Sequence, residues 1–179
     1  MLDALKPYVE RGVPIVGLEP SCLFGMRDEF LSLFPDGETG KLAINAFLFE
    51  EFIAREAGAG RFKLDLKPLP QRTALLHGHC HQKAFAAMPA VQKVLSMIPE
   101  LEVDVIESSC CGMAGSFGFE AEHYVVSMKM AELSLLPKVR KADIDMLLVA
   151  DGASCRHQIH DGAGREAIHV AQALRRALI

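Results

Sequence analysis

Four short apolar runs rich in Val, Ile and Leu punctuate the chain: "VPIVGLE" at 13–19, "TALLHG" at 73–78, "LEVDVIE" at 101–107 and "IDMLLVA" at 144–150. Runs of this length and composition predict buried strands. Between them, apolar positions recur at helical spacing. "LFGMRDEFLSLF" and "KLAINAFLFEEFIAREAG" fill the first gap, the second of them with Gly58 as its C-cap, and "QKAFAAMPAVQKVLSMI" and "EAEHYVVSMKMAELSLLPKVR" fill the later ones. "REAIHVAQALRRAL" predicts a closing helix, with a short fifth strand at "AIHV" ahead of it, and the proline-punctuated "KLDLKPLPQRT" reads as a loop. Alternating strands and helices predict an α/β domain: a mostly parallel sheet of four or five strands with helices on both faces. At 179 residues, with no internal repeat, the whole chain reads as a single domain.

Composition narrows the function classes. A net charge of -4 without any basic run argues against a nucleic-acid partner. The longest apolar stretch is interrupted by Glu50 and Glu51, well short of the roughly 18 to 20 residues needed to cross a bilayer. The start, "MLDALKPYVERG", mixes charges with a proline and lacks the form of a secretory signal, so the expected location is cytoplasmic or matrix-facing. Half the residues are hydrophobic, which suits either a well-filled core or a domain that docks against a partner.

The five cysteines carry the chemistry. An odd number in a reducing compartment points to metal binding or redox work and away from a disulfide frame. Cys22, Cys80, the adjacent pair Cys110 and Cys111, and Cys155 all fall just past the C-terminal end of a predicted strand. In a parallel sheet the strand-to-helix loops converge at that edge, so cysteines dozens of residues apart are expected to meet there. The loops lead into helix N-termini, where amides and dipole favour thiolates. Four or five gathered thiolates call for a soft cation, either an iron–sulfur cluster or zinc.

The neighbours of the cysteines divide into structural and chemical readings. Gly112, Gly115 and Gly118 in "GMAGSFG" depart from the dinucleotide fingerprint and read as the residues that let backbone wrap an inorganic centre and aim amides at it. His77, His79 and His81 read as polar packing or hydrogen-bonding neighbours of Cys80 before they read as ligands, and His157, His160 and His169 as surface or capping residues. Met113 reads as core filler. Glu19, Glu107 and Asp151 are expected to cap helices or bond loop amides rather than to form a catalytic pair. Phe117 and Phe119 either shield the site from water or make ordinary helix-start contacts.

"EPSC", "HGHCHQKA", "ESSCCGMAGSFGFEAEHY" and "ADGASCRHQI" together resemble the CCG, or cysteine-rich, domain of iron–sulfur oxidoreductases. That domain occurs in heterodisulfide reductase, in the iron–sulfur components of glycolate and lactate oxidation systems and in anaerobic glycerol-3-phosphate dehydrogenase. The chain is most similar to the C-terminal region of bacterial fusions joining an FAD-linked 2-hydroxy-acid dehydrogenase to iron–sulfur regions. The resemblance covers nearly the whole chain. It implies a fragment of a larger oxidoreductase that receives electrons from FAD on a separate domain or subunit and passes them on, with an iron–sulfur cluster, cubane or non-cubane, or zinc as a substitute. Cys80, Cys110, Cys111 and Cys155 match its pattern. Gly152 stands where the pattern has a further cysteine, and Cys22 is the thiol left to replace it. Two other functions compete with electron transfer: a zinc-stabilised module that binds a partner, and a thiol–disulfide enzyme, which the absence of any CxxC disfavours.

Overall fold

The computed structural model describes residues 1–35 and 37–179. Its centre is a four-stranded, fully parallel sheet formed by β3 (Thr73–His77), β4 (Glu102–Val105), β5 (Leu147–Ala150) and β6 (Ala167–Ile168) in the spatial order β4-β3-β5-β6. Alternation along β5 sorts its side chains to opposite faces. Leu147 and Val149 join the core covered by α5 (Phe49–Gly58), α7 (Met88–Leu95) and α11 (Val170–Ala177). Leu148 and Ala150 join the core covered by α9 (Leu135–Lys141) and α10 (Ala153–Ala163). All four β5 residues are therefore buried, as a central strand between two helical layers requires.

The sheet reverses direction at its middle. The chain leaves β3 for β4 through α6 (Cys80–Ala84) and α7, returns across β3 to β5 through α8 (Tyr124–Glu132) and α9, and continues outward to β6 through α10. The crevice between the C-terminal ends of β3 and β5 is thus the switch point at which ligands bind in open parallel sheets.

The predicted strand at 13–19 does form, as β1 (Ile15–Gly17), but it lies outside the main sheet. It pairs in parallel with β2 (Ala46–Leu48) in a separate two-stranded sheet, Ile15 opposite Ala46 and Gly17 opposite Leu48. β2 breaks the single helix expected over 41–58 into α4 (Gly37–Asn45) and α5. Leu48 is fully buried beside Leu23 and Phe24 of α2 (Pro20–Arg27), so strand pairing and burial override helical propensity here. Gly58 is the last residue of α5 and Ala59 its cap, one position beyond the expected cap. The helix expected over 23–34 divides at Asp28 into α2 and α3 (Glu29–Leu33), and that over 120–140 into α8 and α9. "KLDLKPLPQRT" is a loop up to the start of β3, pinned by a single bridge from Leu66 to Leu178.

Two contacts fasten the small sheet to the large one at the cysteine-bearing edge. Glu19, just after β1, accepts a hydrogen bond from the Ala153 amide at the head of α10 at 2.9 Å. His169 Nε2 donates to the Leu18 carbonyl at 2.8 Å while its Nδ1 accepts from the Ala171 amide. With Nδ1 an acceptor, the donating proton sits on Nε2, the neutral tautomer. The chain also contains α1 (Leu2–Val9), and no helix among the described residues is long and apolar enough to cross a membrane.

Candidate metal centre

Each cysteine lies beyond the C-terminal end of a strand. Cys22 is in α2 after β1, Cys80 opens α6 after β3, Cys110 and Cys111 sit in the loop after β4, and Cys155 lies in the first turn of α10 after β5. Four of the five sulfurs form a connected series. Cys80 Sγ lies 3.7 Å from Cys110 Sγ, Cys110 also interacts with Cys111, and Cys111 with Cys155. Cys22 is exposed, and its neighbour Ser21 lines the cavity beside Cys80 and Cys111.

Along the series, the pKa shifts alternate in direction. Hydrogen bonds from Cys111 and then Cys80, with further help from the Gly112 amide, hold the Cys110 thiol far below its ordinary range. A hydrogen bond from Cys111, aided by His77, does the same for Cys155 against the opposing effect of burial. Cys80 is pushed up because its proton is given to Cys110, and Cys111 because it serves both thiolates. Four thiols that share protons this closely, mostly out of water, form a polyanion in waiting; a soft cation that displaces the protons satisfies all four.

The loop "SCCGMAG" is shaped for close approach. The Gly112 amide donates to Cys110 Sγ at 3.2 Å, and Gly112 has φ +93° with its would-be Cβ colliding with the Ser127 carbonyl oxygen. No L side chain fits there. Gly115 (φ +69°) lines the cavity, whereas Gly118 is buried behind the loop against Met113 and Ser127. Lys83 of α6 crosses to this loop and donates to the carbonyls of Ser108 at 2.5 Å and Ser109 at 2.8 Å. Burial lowers the Lys83 pKa, and the four thiols beside it work against that shift. Beside Cys80 and Cys111 opens a cavity of about 340 Å³, also lined by Ser21, His79, Gly115 and Ser154.

The histidines are fixed in different ways. His79 Nδ1 accepts from the His81 amide at 3.2 Å, and the His79 amide donates to Gln82 Oε1 at 2.9 Å, so His79 is the N-cap of α6. His169 and Gln172 repeat this His-x-x-Gln capping box at the head of α11. Burial lowers the His79 pKa, against the opposing charge of Cys155. His77 is 1% exposed; its Nδ1 pairs with Ser108 Oγ at 2.9 Å, and its Nε2 is buried without a hydrogen-bond partner. One ring nitrogen of His77 and the sulfurs of Cys111 and Cys155 lie within 4.8 Å of one another. His157 and His160 are exposed.

Gly152, where the resembling pattern has a cysteine, leaves no room for one. A Cβ there would lie 2.5 Å from His79 Cδ2 and 3.2 Å from Cys155 Sγ, so the His79 ring fills that space. Among the other residues noted from sequence, Met113 is buried, Glu107 is exposed, and Phe117 stacks on His123 at 4.1 Å. Phe119 is 61% exposed and so does not seal the site. Sequence reasoning passed over Lys83, Gln82, Ser108 and Glu50; the His-x-x-Gln spacing was the one available signal for Gln82.

The chain is 30% identical over 168 residues to a component of the anaerobic glycerol-3-phosphate dehydrogenase of Escherichia coli K12, covering 94% of this chain and 41% of that protein. It is 28% identical over 176 residues to D-2-hydroxyglutarate dehydrogenase of the same organism and 26% identical over 175 to that of Pantoea ananatis, in each case covering 96% of this chain and 16% of the relative. The chain thus spans about two fifths of the first of these relatives and about one sixth of the other two. No family model matches, and no solved structure matches. These relatives are a component of one dehydrogenase and two further dehydrogenases.

Proposed function

We propose that residues 1–179 form an iron–sulfur electron-transfer domain of the CCG type within a larger, cytoplasmic, flavin-linked oxidoreductase that acts on a 2-hydroxy acid or a related substrate. The observation that carries this reading is the connected series Cys80, Cys110, Cys111 and Cys155 at the switch point of the sheet, the thiolates of two of them already favoured. These four would hold the cluster, with the Gly112 amide donating to a ligand sulfur and Gly115 leaving the loop open beside it. Cys22 is the fifth thiol in reserve. Bound there, a cluster supplies one-electron redox chemistry. The chain's own contribution is to gather the thiolates, keep them largely dry and hold their loop through Lys83. FAD and the substrate would belong to a partner domain or subunit, in keeping with the small share of each relative that this chain spans.

A second reading rests on the buried His77, Cys111 and Cys155 trio, a donor set that also suits structural zinc in a partner-binding module. Iron, sulfide and zinc content after anaerobic reconstitution, read with the electron paramagnetic resonance spectrum, separates the two. About four irons with matching sulfide per chain, lost in Cys111→Ser, is the expected result. Stoichiometric zinc that iron does not displace, with no sulfide, overturns it in favour of the zinc module.

A further inference from the structure

Behind the cysteine loops, and outside the set of sulfurs, lie two buried acids. Glu50 and Gln82 are fully buried and Asp151 is 1% exposed. The single amide group of Gln82 serves both carboxyls: Nε2 donates to Glu50 Oε1 at 2.6 Å and to Asp151 Oδ2 at 2.8 Å. The other oxygen of Asp151, Oδ1, accepts from the Val170 amide at 2.9 Å, and His169 Nε2 stands 3.6 Å from it. Glu50 has weaker support: it lies in the first turn of α5 and its own amide hydrogen-bonds the carboxyl, but its Oε2 is buried without a partner, and burial outweighs these bonds. Two carboxylates that share one amide in a dry site resist double ionisation, and the proton stays on the less well solvated of them. That one is Glu50.

The pair is built into the cysteine loops. Gln82 Oε1 accepts the amide of His79, the residue before Cys80, and Asp151 follows β5 four residues ahead of Cys155. Resting on the iron–sulfur reading above, we infer that Glu50 is a redox-linked proton site: under alkaline conditions that have removed this proton from the oxidised protein, Glu50 takes one up from solvent as the centre held by the neighbouring cysteines gains one electron. The balance is one electron from a reduced flavin, or from a chemical reductant, and one proton onto the Glu50 carboxylate; the electron's departure releases the proton again. Linkage makes the effect reciprocal: the proton favours the reduced centre as much as the electron favours the proton.

The groups facing Glu50 are few. Asp151 comes from the end of β5, Gln82 from α6 with the His79 amide behind it, and His169 from the head of α11, at the Asp151 end. Glu51 follows on α5 and is itself paired with Arg27 of α2 at 2.7 Å. Lys93 of α7 lies against Gly58, at the far end of α5. Among the described residues no cation pairs with Glu50, and burial followed by the Asp151 charge pushes it up to about 8. A cavity of about 460 Å³ lined by Asp151, His169, Glu19 and Arg156 brings solvent to the Asp151 end of the pair.

The test is a set of redox titrations of the reconstituted protein from about pH 6 to about pH 10, comparing wild type, Glu50→Gln and Asp151→Asn. In wild type the redox equilibrium should shift toward the oxidised form with rising pH, by up to about tenfold per pH unit, over a window that Asp151→Asn moves to lower pH. Glu50→Gln should flatten it. An intact centre whose pH dependence is the same in wild type and Glu50→Gln overturns this inference alone, whereas failure to assemble any iron–sulfur centre overturns the reading beneath it. Metal-free protein gives an independent readout. A carboxyl raised from 4.5 to about 8 by folding keeps a proton that the unfolded chain has lost, so wild type should lose stability relative to Glu50→Gln as pH rises from the lower value to the upper. Equal stability differences at both ends of that window would also overturn it.

Discussion

Gly152 shows how much a single residue can decide at this site. It occupies the position of a further cysteine in the resembling pattern, and the ring of His79 takes up the volume a side chain there would need. His79 cannot swing aside without losing its cap on α6, since Nδ1 accepts the His81 amide. Gly152→Cys is therefore expected to cost about 1–3 kcal/mol through overpacking and to leave the iron content no higher than in wild type. Urea denaturation and iron analysis check both parts, with Gly152→Cys/His79→Ala regaining part of the lost stability. More iron in Gly152→Cys would mean that the ring yields and that the departure from the pattern is a lost ligand.

At the scale of elements, the loop after β4 matters most, and its support comes from a helix of the preceding connection. Lys83 spans from α6 to two carbonyls of the segment "SS" immediately before Cys110, passing Gly78, whose would-be Cβ lies 3.2 Å from Lys83 Cε. Lys83→Met keeps the aliphatic stem and removes the donors, so it should cost about 1–3 kcal/mol by leaving carbonyls unsatisfied. It should also speed alkylation of Cys110 in metal-free protein, and an unchanged alkylation rate would show that the loop holds its shape without the lysine. The strands β3 to β5 and the placement of every cysteine beyond a strand's C-terminal end were legible from the sequence, because short Val/Ile/Leu runs have one stable use in a covered parallel sheet. The helix breaks were not. "NAFLFEEF" carries a helical pattern, and only the distant partner Ile15–Gly17 turns its first part into β2. The Lys83 strap and the Glu50–Gln82–Asp151 link join residues 25 to 69 positions apart, a separation at which side-chain pairing leaves no local signal.

For the molecule as a whole, unequal burial implies unequal stability. The central strands of the main sheet are packed on both faces: Ala74 and Leu76 of β3 are fully buried, and Val149 and Ala150 of β5 are 1% and 0% exposed, whereas the edge strand β4 is mostly exposed. The small sheet has one covered side, and Val16 in β1 and Leu18 just after it are 43% and 55% exposed. It is tied to the rest by a few hydrogen bonds, among them Glu19 to Ala153 and His169 to Leu18. Sub-global opening follows such differences in buried apolar contact. In native-state hydrogen exchange the amides of β1 and β2 should therefore exchange well before those of β3 and β5. Because β1 leads into α2, the opening that frees it also frees Ser21 and Cys22 at one wall of the cavity, while Cys80, Cys110, Cys111 and Cys155 stay on the slower-exchanging body. Loading with metal should then slow exchange most in the loops after β3, β4 and β5. If it slows β1 and β2 by the same factor, Cys22 is drawn into the centre and the two sheets close on it as one unit.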